Sequence, residues 1–411
     1  MLLSLALRVF PPMASEASSL IWTTAPPKRG ALAFASLFAL ESFARALIST
    51  VVSVQAHDIL QSSQKVSVLF TCVSLAVLAS TLTLPLLFRY VPRRWIYTGG
   101  VAGLCLGSLA FATDVLPGQV GGMYLRNVSA ATLNISLSLY ILDYIRKADL
   151  VRSEPMRLAF SAASWTIGPF LGVWLYENYG PWAPQLLCIG ACCLVVTFFW
   201  YLRLNDHPVI RAATSTPQNP LANVGRFVSQ PRLRLAWLIA YGRSCFWTTF
   251  FVYGSLLMIE GQLGKEASGL LISLSQLGLC MAYLAGKISE RAGVRKVIAG
   301  AYAVAALAVI GAGYAGTSQP VLAAVCLLIG ATANSALDGV GGIPFLRSVR
   351  AHERPQMTGV YRSYIDLSDL LPSLIYSFVL LAFPLGSVFY ILGAWLGIVG
   401  FVSWRYLPRS M

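Results

Sequence analysis

The sequence predicts an all-α polytopic membrane protein, and three observations support that fold class. Hydrophobic residues make up 57% of the 411 residues and charged residues only 11%, whereas about 25% of the residues of an ordinary soluble protein are charged. Apolar stretches of about 20 residues recur along the chain, each long enough to cross roughly 30 Å of hydrocarbon as a helix. The basic residues are concentrated in alternate connections between these stretches. Together these features exclude the soluble multidomain protein that the length alone would allow.

The apolar stretches predict twelve transmembrane helices in two six-helix halves. The one long polar connection, 205–232, is rich in proline and asparagine and separates the halves. The predicted organisation is a cytoplasmic N-terminal tail (1–30), an N-terminal bundle (31–204), a cytoplasmic linker (205–232), a C-terminal bundle (233–406) and a C-terminal tail (407–411). The predicted helices lie near 31–54, 66–88, 95–113, 119–144, 157–178, 182–203, 234–259, 267–288, 295–314, 320–345, 358–381 and 384–405.

In the two predicted halves, the basic turns and segments lie at corresponding positions between the helices. The first helix closes on the outer side at His57 and Asp58, whose side chains we expect to be solvated. A basic turn at 89–94 follows the second helix, the fourth ends near Asp143, and a basic segment at 152–157 precedes the fifth. The second half has a basic turn at 291–296 and a basic segment at 350–354 in the same places. Membrane halves built from repeats place a substrate path at their interface, near the bilayer midplane.

The distribution of positive charge predicts the orientation in the membrane. Of the 30 Lys and Arg residues, 24 fall in the two tails and in alternate connections, whereas the opposite connections hold only Lys65 and Lys265. Cytoplasmic connections retain Lys and Arg, so both termini are predicted to lie in the cytoplasm, in a multi-pass protein of the cell (inner) membrane. The net charge of +14 therefore reflects topology, and a nucleic-acid partner is excluded.

Cysteine and histidine give no sign of a metal centre or a cofactor. The eight cysteines lie within or against apolar stretches, and the three histidines are far apart. Neither residue type has metal-ligand spacing or a disulfide pattern. Residues 1–10 lack the leading positive charges and the cleavage site of a signal peptide, so we expect a loose tail, with Met13 as an alternative start. The sequence therefore predicts neither a metal nor a cofactor.

The loop after the second helix of the second half carries the most specific motif. Its sequence, Gly286-Lys287-Ile288-Ser289-Glu290-Arg291-Ala292-Gly293-Val294-Arg295-Lys296, resembles the signature loop of the major facilitator superfamily. The resemblance implies a twelve-helix transporter in which the acid pairs with basic groups of the other half and latches one face closed. In the first-half copy, Phe88 stands in the place of this acid. The alternative interpretation is that the basic residues of the loop only anchor the cytoplasmic side of the protein at the membrane. The residues assigned to the gate are Gly286, Glu290 as the latch acid, Arg291, Gly293 and Arg295.

A second motif lies in the fifth predicted helix, where Gly168-Pro169-Phe170-Leu171-Gly172 follows Ser164. It resembles the fifth-helix motif of antiporters in the same superfamily, and the resemblance favours export. Small residues four apart let helices approach closely, and Pro169 removes a backbone hydrogen bond and bends the helix. Close packing alone explains Gly168 and Gly172 equally well.

Several charged residues fall inside predicted helices, where each costs about 2.5–3.5 kcal/mol and requires a partner or a wet cavity. Glu41 and Arg45 are four residues apart in the first helix, and Arg362 and Asp366 are four apart in the eleventh. Residues at this spacing share a helix face, so each pair can be neutralised on its own helix.

Arg126 in the fourth predicted helix and Arg243 in the seventh have no acid three or four positions away. Both must therefore find partners across a cavity, which the resemblance places between helices one, four, seven and ten. Arginine stays charged and holds carboxylate or phosphate through two hydrogen bonds, which favours an anionic or zwitterionic substrate. The predicted substrate-binding residues are Arg45, Arg126, Asn134, Tyr241, Arg243 and Tyr361, and the residues that complete the cavity or only pack against it are Tyr124, Asn127, Trp247 and Tyr364.

Proton coupling requires a carboxyl group that gains and loses a proton as its surroundings change. Burial favours the neutral form of a carboxyl group and a nearby arginine favours the charged form. A helix movement that makes or breaks such a pair can therefore load or release a proton. The residues that meet this requirement are Glu41, Asp338, Asp366 and Asp369.

Together these features predict a secondary transporter that exports a small organic solute in exchange for protons. Its partners are the solute, the proton and the lipid bilayer, and we expect a monomer. The sequence has no phosphate-binding Walker loop and no nucleophile–base constellation of an enzyme. Two alternatives stay open. One is proton-coupled import of an anionic metabolite or metal chelate, and the other is a membrane sensor or scaffold that has a transporter's fold but transports nothing.

Overall fold

The structure, a computed structural model, describes residues 31–144, 147–202, 220–349 and 354–408. Within these ranges every regular element is a helix. The predicted N-terminal tail with Met13, the linker residues 205–219, the basic residues 350–353 and the end of the C-terminal tail, 409–411, lie outside the described residues. The side chains of Phe88 and of residues 141–159 lie outside them as well.

The N-terminal group comprises the described helices between 31 and 202. The first predicted helix extends to Leu60 and is divided at Ile48, where the backbone leaves the helical region (φ −97°, ψ 0°). The fifth predicted helix begins earlier than expected, so the segment 152–157 predicted as a connection is helical. Its arginine, glutamate and methionine residues favour helix, and the helix continues through Pro155, which disfavours it. The helices are α1 (Ala31–Leu47), α2 (Ser49–Leu60), α3 (Ser63–Tyr90), α4 (Arg93–Ala112), α5 (Leu116–Tyr144), α6 (Lys147–Tyr179) and α7 (Trp182–Tyr201).

The C-terminal group comprises the described helices between 220 and 406. A π-helical turn, Phe250–Gly254, lies between α9 and α10, and a 3-10 turn, Leu277–Leu279, lies between α11 and α12. Such turns inside longer helices are frequent near functional sites. The helices are α8 (Pro220–Val228), α9 (Pro231–Thr249), α10 (Ser255–Glu260), α11 (Lys265–Gln276), α12 (Cys280–Ala292), α13 (Val294–Ala315), α14 (Pro320–Val340), α15 (Ile343–Ser348), α16 (Arg354–Tyr361), α17 (Ser363–Val379) and α18 (Gly386–Tyr406).

Eight helical stretches among the described residues are long and apolar enough to cross a membrane. Four of the predicted helices, those at 119–144, 157–178, 234–259 and 358–381, are present as helical segments but do not belong to these eight. α5 carries Arg126, Asn127 and Asn134, and α9 carries Arg243; these polar side chains lower the hydropathy of the two helices. The eight stretches are Ala33–Leu60, Ser63–Leu84, Arg93–Ala112, Trp182–Tyr201, Lys265–Ala292, Val294–Ala315, Pro320–Ser348 and Gly386–Tyr406.

The helices pack closely where they carry small residues, and they expose large apolar side chains outward. α13 packs against α14 and α18, and a Cβ atom at Gly393 of α18 would lie 2.5 Å from the side chain of Ile310. On the outward faces Leu82, Leu307 and Phe401 are exposed. Small residues between helices and large apolar residues toward the surroundings are typical of helices packed in lipid.

The two helix groups contact each other through three main helix pairs. α6 packs against α11, α3 packs against α17, and α2 packs against α10. Within the C-terminal group, the short helix α8 packs against its neighbours, because Phe227 is buried together with Leu233, Phe345 and Met357. The charged residues predicted for the substrate site lie on α1, α5 and α9, which pack against α6, α3 and α17, respectively.

Candidate functional site

Glu41 and Arg45 form an ion pair on α1. Oε1 of Glu41 lies 3.5 Å from Nε of Arg45, and the Glu41 side chain is 1% exposed. Tyr97 of α4 lies beside both residues. The neutralisation on one helix that the spacing permitted is thus present in this state.

Arg126 of α5 is held by neutral acceptors. Its Nη1 donates a hydrogen bond to Oδ1 of Asn127 at 3.3 Å, and its Nη2 donates to the carbonyl oxygen of Arg45 at 3.4 Å. Its Nε is buried without a hydrogen-bond partner. Among the described residues no carboxylate oxygen lies within 4.0 Å of this guanidinium group. The positive charge of Arg126 is therefore not compensated by a neighbouring carboxylate, and its Nε–H group has no acceptor.

Arg243 of α9 has the opposite environment. Its Nη1 forms an ion pair with Oδ1 of Asp338 on α14, and its Nη2 donates a hydrogen bond to the hydroxyl oxygen of Tyr364 at 3.1 Å. The other oxygen of Asp338 accepts a hydrogen bond from Nε1 of Trp247 at 3.2 Å. The partner that Arg243 was predicted to find across the cavity is therefore Asp338, and the two groups neutralise each other in this state.

Asp369 of α17 accepts a hydrogen bond from Oγ1 of Thr248 on α9 at 2.8 Å. Its backbone carbonyl accepts a hydrogen bond from Oγ of Ser74 on α3 at 3.4 Å. The side chain of Asp369 is exposed although protein atoms surround it, so it lines an open cavity inside the protein.

Asp366 and Arg362 lie on the same helical face as Asp369 but do not pair. In the described part of the chain no ion pair within 4.0 Å joins Arg362 to Asp366, nor any described cation to Asp366 or Asp369. The ion pair between Arg362 and Asp366 that their spacing allows is thus not formed in this state. Two carboxylate groups and one exposed guanidinium group remain available to a ligand or a proton.

The three uncharged residues predicted for the substrate site have different environments. Tyr241 is 8% exposed, stacks on Trp237 with ring centroids 5.0 Å apart and contacts Trp395 edge-on; it packs in the core. Tyr361 stacks on Phe345 at 4.0 Å. Asn134 lies two turns after Arg126 on α5 and is half-buried. The aromatic pairs lie inside one helix group because a large ring gains more from burial than from exposure to a polar cavity.

Two hydroxyl residues take part in the site although the sequence analysis did not single them out. Thr248 binds Asp369, and Ser244, four residues earlier, accepts a hydrogen bond from Ser368 at 2.7 Å. They add to the polar contacts between α9 and α17, to which Arg243 and Tyr364 also belong. Their only sequence signal is helical spacing in an aromatic stretch, a pattern too common to identify a site.

A cluster of polar side chains joins the two helix groups at one end of the molecule. Nζ of Lys265 lies 2.7 Å from Oδ2 of Asp58 and 3.0 Å from Oε1 of Glu177. The hydroxyl of Tyr176 donates a hydrogen bond to the same oxygen of Asp58 at 2.8 Å. We call Asp58, Tyr176, Glu177 and Lys265 the Lys265 cluster.

Next to the Lys265 cluster, Glu260 of α10 connects to two residues of the N-terminal group. Ser63 donates a hydrogen bond to Oε1 of Glu260, and Nε2 of His57 lies 3.9 Å from the same oxygen. The expectation that His57 and Asp58 are simply solvated is therefore wrong. Both contact the other helix group, because α2 continues to Leu60 and reaches α10.

The glycines of the fifth-helix motif lie against the junction of α1 and α2. A Cβ atom at Gly168 would lie 2.7 Å from Cβ of Ala46, and one at Gly172 would lie 1.7 Å from the carbonyl oxygen of Leu47. On the other side of α6, the backbone N–H of Phe170 donates a hydrogen bond to Oγ of Ser273 on α11 at 3.1 Å. The motif thus brings α6 close to α1 and to the other helix group.

The signature loop connects α12 and α13. Gly293 has φ +88° and ψ 141°, a conformation that essentially only glycine adopts, whereas a Cβ atom at Gly286 would meet nothing within 4 Å. Glu290 and Arg291 are exposed, and the guanidinium group of Arg295 lies 4.6 Å from the centroid of the Trp404 ring. Glu290 has no ion pair within 4.0 Å in the described ranges, so the latch stays a prediction.

Comparison with known proteins gives one family and one fold. A family model described as Major Facilitator Superfamily matches residues 34–371. A POT family transporter crystallised with 5-aminolevulinic acid is 11% identical, with a TM-score of 0.73 over 92% of this chain and 96% of that chain. The nucleoside transporter NupG is 12% identical, with a TM-score of 0.70 over 92% and 99% of the two chains. For the POT family transporter PepTSo the identity is 12% and the TM-score 0.70, over 92% and 98%.

The search of curated sequences found no significant match to this chain. The structural neighbours are so distant in sequence that their likeness shows a shared fold, and that fold is one of membrane transporters.

Proposed function

Because the chain belongs to the major facilitator superfamily, we propose that it is a proton-coupled exporter of a small organic solute. Family and fold together make it a multi-pass membrane transporter of the secondary type and not an enzyme. The proposal adds twelve spanning helices in two halves, 31–204 and 233–406, and a monomer in the cell membrane with both termini in the cytoplasm. The excess of Lys and Arg in alternate connections supports that orientation.

The observation that carries proton coupling is the exposed carboxylate of Asp369. It lies on a membrane-depth helix, binds the neutral hydroxyl of Thr248, and has no described cation within 4.0 Å. A charged group at this depth must face a wet cavity or bind a proton. Asp366, one turn earlier, is the second candidate. Glu41 and Asp338 are paired with arginines in this state, so they would bind protons only after those pairs open.

The Lys265 cluster supports alternating access. If the orientation above holds, the cluster lies on the outer side, where it holds the two helix groups together. The cavity with Asp369 would then be reached from the cytoplasm, where an exporter takes up its substrate. Opening of the cluster and closure near the signature loop, with Glu290 as the latch acid, would expose the same site to the outside.

Two observations support a small organic solute and its export. Structural neighbours were crystallised with 5-aminolevulinic acid and with a thioalcohol-conjugated peptide, and another is a nucleoside transporter. Small organic molecules are thus the substrates of this fold in those proteins. Export is favoured by the resemblance of the α6 glycine motif to that of antiporters, whereas the tight contact of Gly168 and Gly172 with α1 also fits close packing alone. Import is the alternative direction.

The test uses purified full-length protein in proteoliposomes that contain a pH-sensitive dye. A panel of amino acids, organic acids and nucleosides is added outside, and lumenal pH and solute uptake are recorded. Exchange of solute for protons raises the lumenal pH, whereas co-transport lowers it. We expect a rise that the Asp369→Asn variant abolishes. Arg405→Gln, which removes an exposed charge at the end of α18, is the control.

A fall in lumenal pH during uptake would contradict export and support proton-coupled import. Solute uptake without any pH change, or a full pH response in both Asp369→Asn and Asp366→Asn, would overturn the coupling assignment. No uptake of any solute by folded protein would favour a sensor or scaffold.

A further inference from the structure

The cavity contains two combinations of an arginine and an aspartate, and they differ in one respect. Arg243 and Asp338 are in direct contact. Arg126 and Asp369 interact electrostatically, but no nitrogen of the guanidinium group lies within 4.0 Å of a carboxylate oxygen of Asp369. Arg243 and Asp338 therefore form an ion pair, whereas Arg126 and Asp369 do not.

α3 forms hydrogen bonds next to both Arg126 and Asp369, through residues fewer than two turns apart. Ser74 of α3 donates to the backbone of Asp369 at 3.4 Å. Six residues later, Ser80 shares a 2.7 Å hydrogen bond with the hydroxyl of Tyr124, which precedes Arg126 by two residues on α5. Six residues of helix span about 9 Å. The segments of α17 and α5 that carry the acid and the cation thus meet α3 about 9 Å apart along its axis, a separation that a small organic molecule can span.

The gap is maintained by neutral hydrogen bonds on both sides. The Asn127 side chain and the Arg45 carbonyl hold Arg126, and Thr248 holds Asp369. The buried Nε of Arg126 has no partner, and an unsatisfied buried donor costs about 1–3 kcal/mol. Water solvates both groups in a wet cavity, so direct contact would gain only about 0–1 kcal/mol. The two separate charges therefore leave room for a ligand that contacts both.

We infer that this gap binds a compact zwitterion, whose carboxylate contacts Arg126 and whose ammonium group contacts Asp369. The inference rests on the proposed transport function, because it names the substrate class of that cavity. An anion would leave Asp369 uncompensated, and a cation would leave Arg126 uncompensated. Asp366 adds negative charge on the ammonium side. Arg45, already paired with Glu41, lies on the carboxylate side.

The experiment compares matched ligands on the full-length protein in lipid nanodiscs. Each α-amino acid, ω-amino acid and dipeptide of a panel is tested as the free zwitterion, as its N-acetyl acid and as its methyl amide. Binding is measured by titration and by the rise in melting temperature. Ligand binding to the native state raises the melting temperature by mass action. We expect at least one zwitterion to bind, with about tenfold or greater loss of affinity when either end is blocked.

Two variants assign the two ends. Arg126→Gln should bind the zwitterion and its methyl amide equally, because the partner of the carboxylate is gone. Asp369→Asn should bind the zwitterion and its N-acetyl acid equally. Arg405→Gln, remote from the cavity, should keep the full discrimination. Melting temperatures without ligand show whether each variant is folded, and Arg126→Lys, which keeps the charge, should retain part of the preference for a free carboxylate.

The outcomes separate this inference from the proposed function. The zwitterion site is overturned if no zwitterion of the panel binds, if blocked analogues bind within about twofold of the zwitterion, or if neither variant changes the preference. A transported anion or cation in that case would leave the transport function standing. Zwitterion binding with the expected variant effects, but without flux in proteoliposomes, would retain the site and refute transport.

Discussion

At the residue scale, the contrast between Arg243 and Arg126 shows two ways in which this chain keeps charged side chains among apolar helices. Arg243 forms an ion pair with Asp338 and a hydrogen bond with Tyr364, so its charge is compensated inside the protein. Arg126 has only neutral acceptors in the described structure. The first arrangement stabilises the contact between α9 and α14, whereas the second leaves binding capacity for a solute.

The Arg243–Asp338 pair gives a stability prediction. Arg243→Gln leaves Asp338 without its cation in a largely protein-enclosed site, and breaking such a pair costs about 3 kcal/mol. Asp338→Asn should cost a similar amount, and the double variant should recover part of the loss because no uncompensated charge remains. Melting temperature of the purified protein measures this. Additive losses in the double variant would show that the two residues act independently.

At the element scale, α6 links both helix groups. One side packs against the α1–α2 junction at Leu47, and the other packs against α11, where Ser273 accepts a hydrogen bond from the backbone of Phe170. A Cβ atom at Gly269 of α11 would lie 3.0 Å from the α6 backbone, so the contact is tight on this side as well. Small residues on both helices permit it.

The tight packing of α6 gives a second prediction. Gly172→Ala places a methyl group 1.7 Å from the carbonyl oxygen of Leu47, so α6 must move away from α1, at a cost of about 1–3 kcal/mol. Gly190→Ala, on the exposed face of α7 with nothing within 4 Å, is the matched control and should not lower the melting temperature, because alanine favours helix over glycine by up to about 1 kcal/mol. Equal melting temperatures for both variants would contradict the packing argument.

At the scale of the whole molecule, the two helix groups are joined by polar contacts at one end. The Lys265 cluster combines one cation with two carboxylates from α2 and α6, and Glu260 contacts Ser63 and His57 beside it. These groups are partly exposed, so the cluster can open without burying a lone charge. Such a contact biases an equilibrium between two states rather than holding a fold together.

The third prediction concerns that equilibrium. Lys265→Gln should weaken the closed end and increase hydrogen exchange of the backbone at 57–63 and 258–266, with little effect on the melting temperature. Lys65→Gln, an exposed lysine near the same end, is the control. Hydrogen exchange measured by mass spectrometry tests this. Unchanged exchange in Lys265→Gln would show that the cluster does not hold the end closed.

The sequence by itself determined the membrane-transporter fold, its family and the charged residues. Apolar length, the confinement of Lys and Arg, and the loop Gly286–Lys296 are local properties, and hydrocarbon thickness and family motifs constrain them directly. The sequence also showed that Arg126 and Arg243 require partners from other helices, because no acid lies on the same helical face.

Only the tertiary structure decided which partner each charge has. The sequence treated Arg126 and Arg243 alike, yet Arg243 pairs with Asp338, whereas Arg126 has only neutral acceptors among the described residues. It assigned Tyr241 to the cavity, where the structure packs the ring against Trp237 and Trp395, and it expected Asp58 in solvent, where Lys265 binds it. The physical reason is the same in each case. Helical spacing fixes which residues share a face, but the rotation and contacts of a helix in the assembled bundle determine what that face meets.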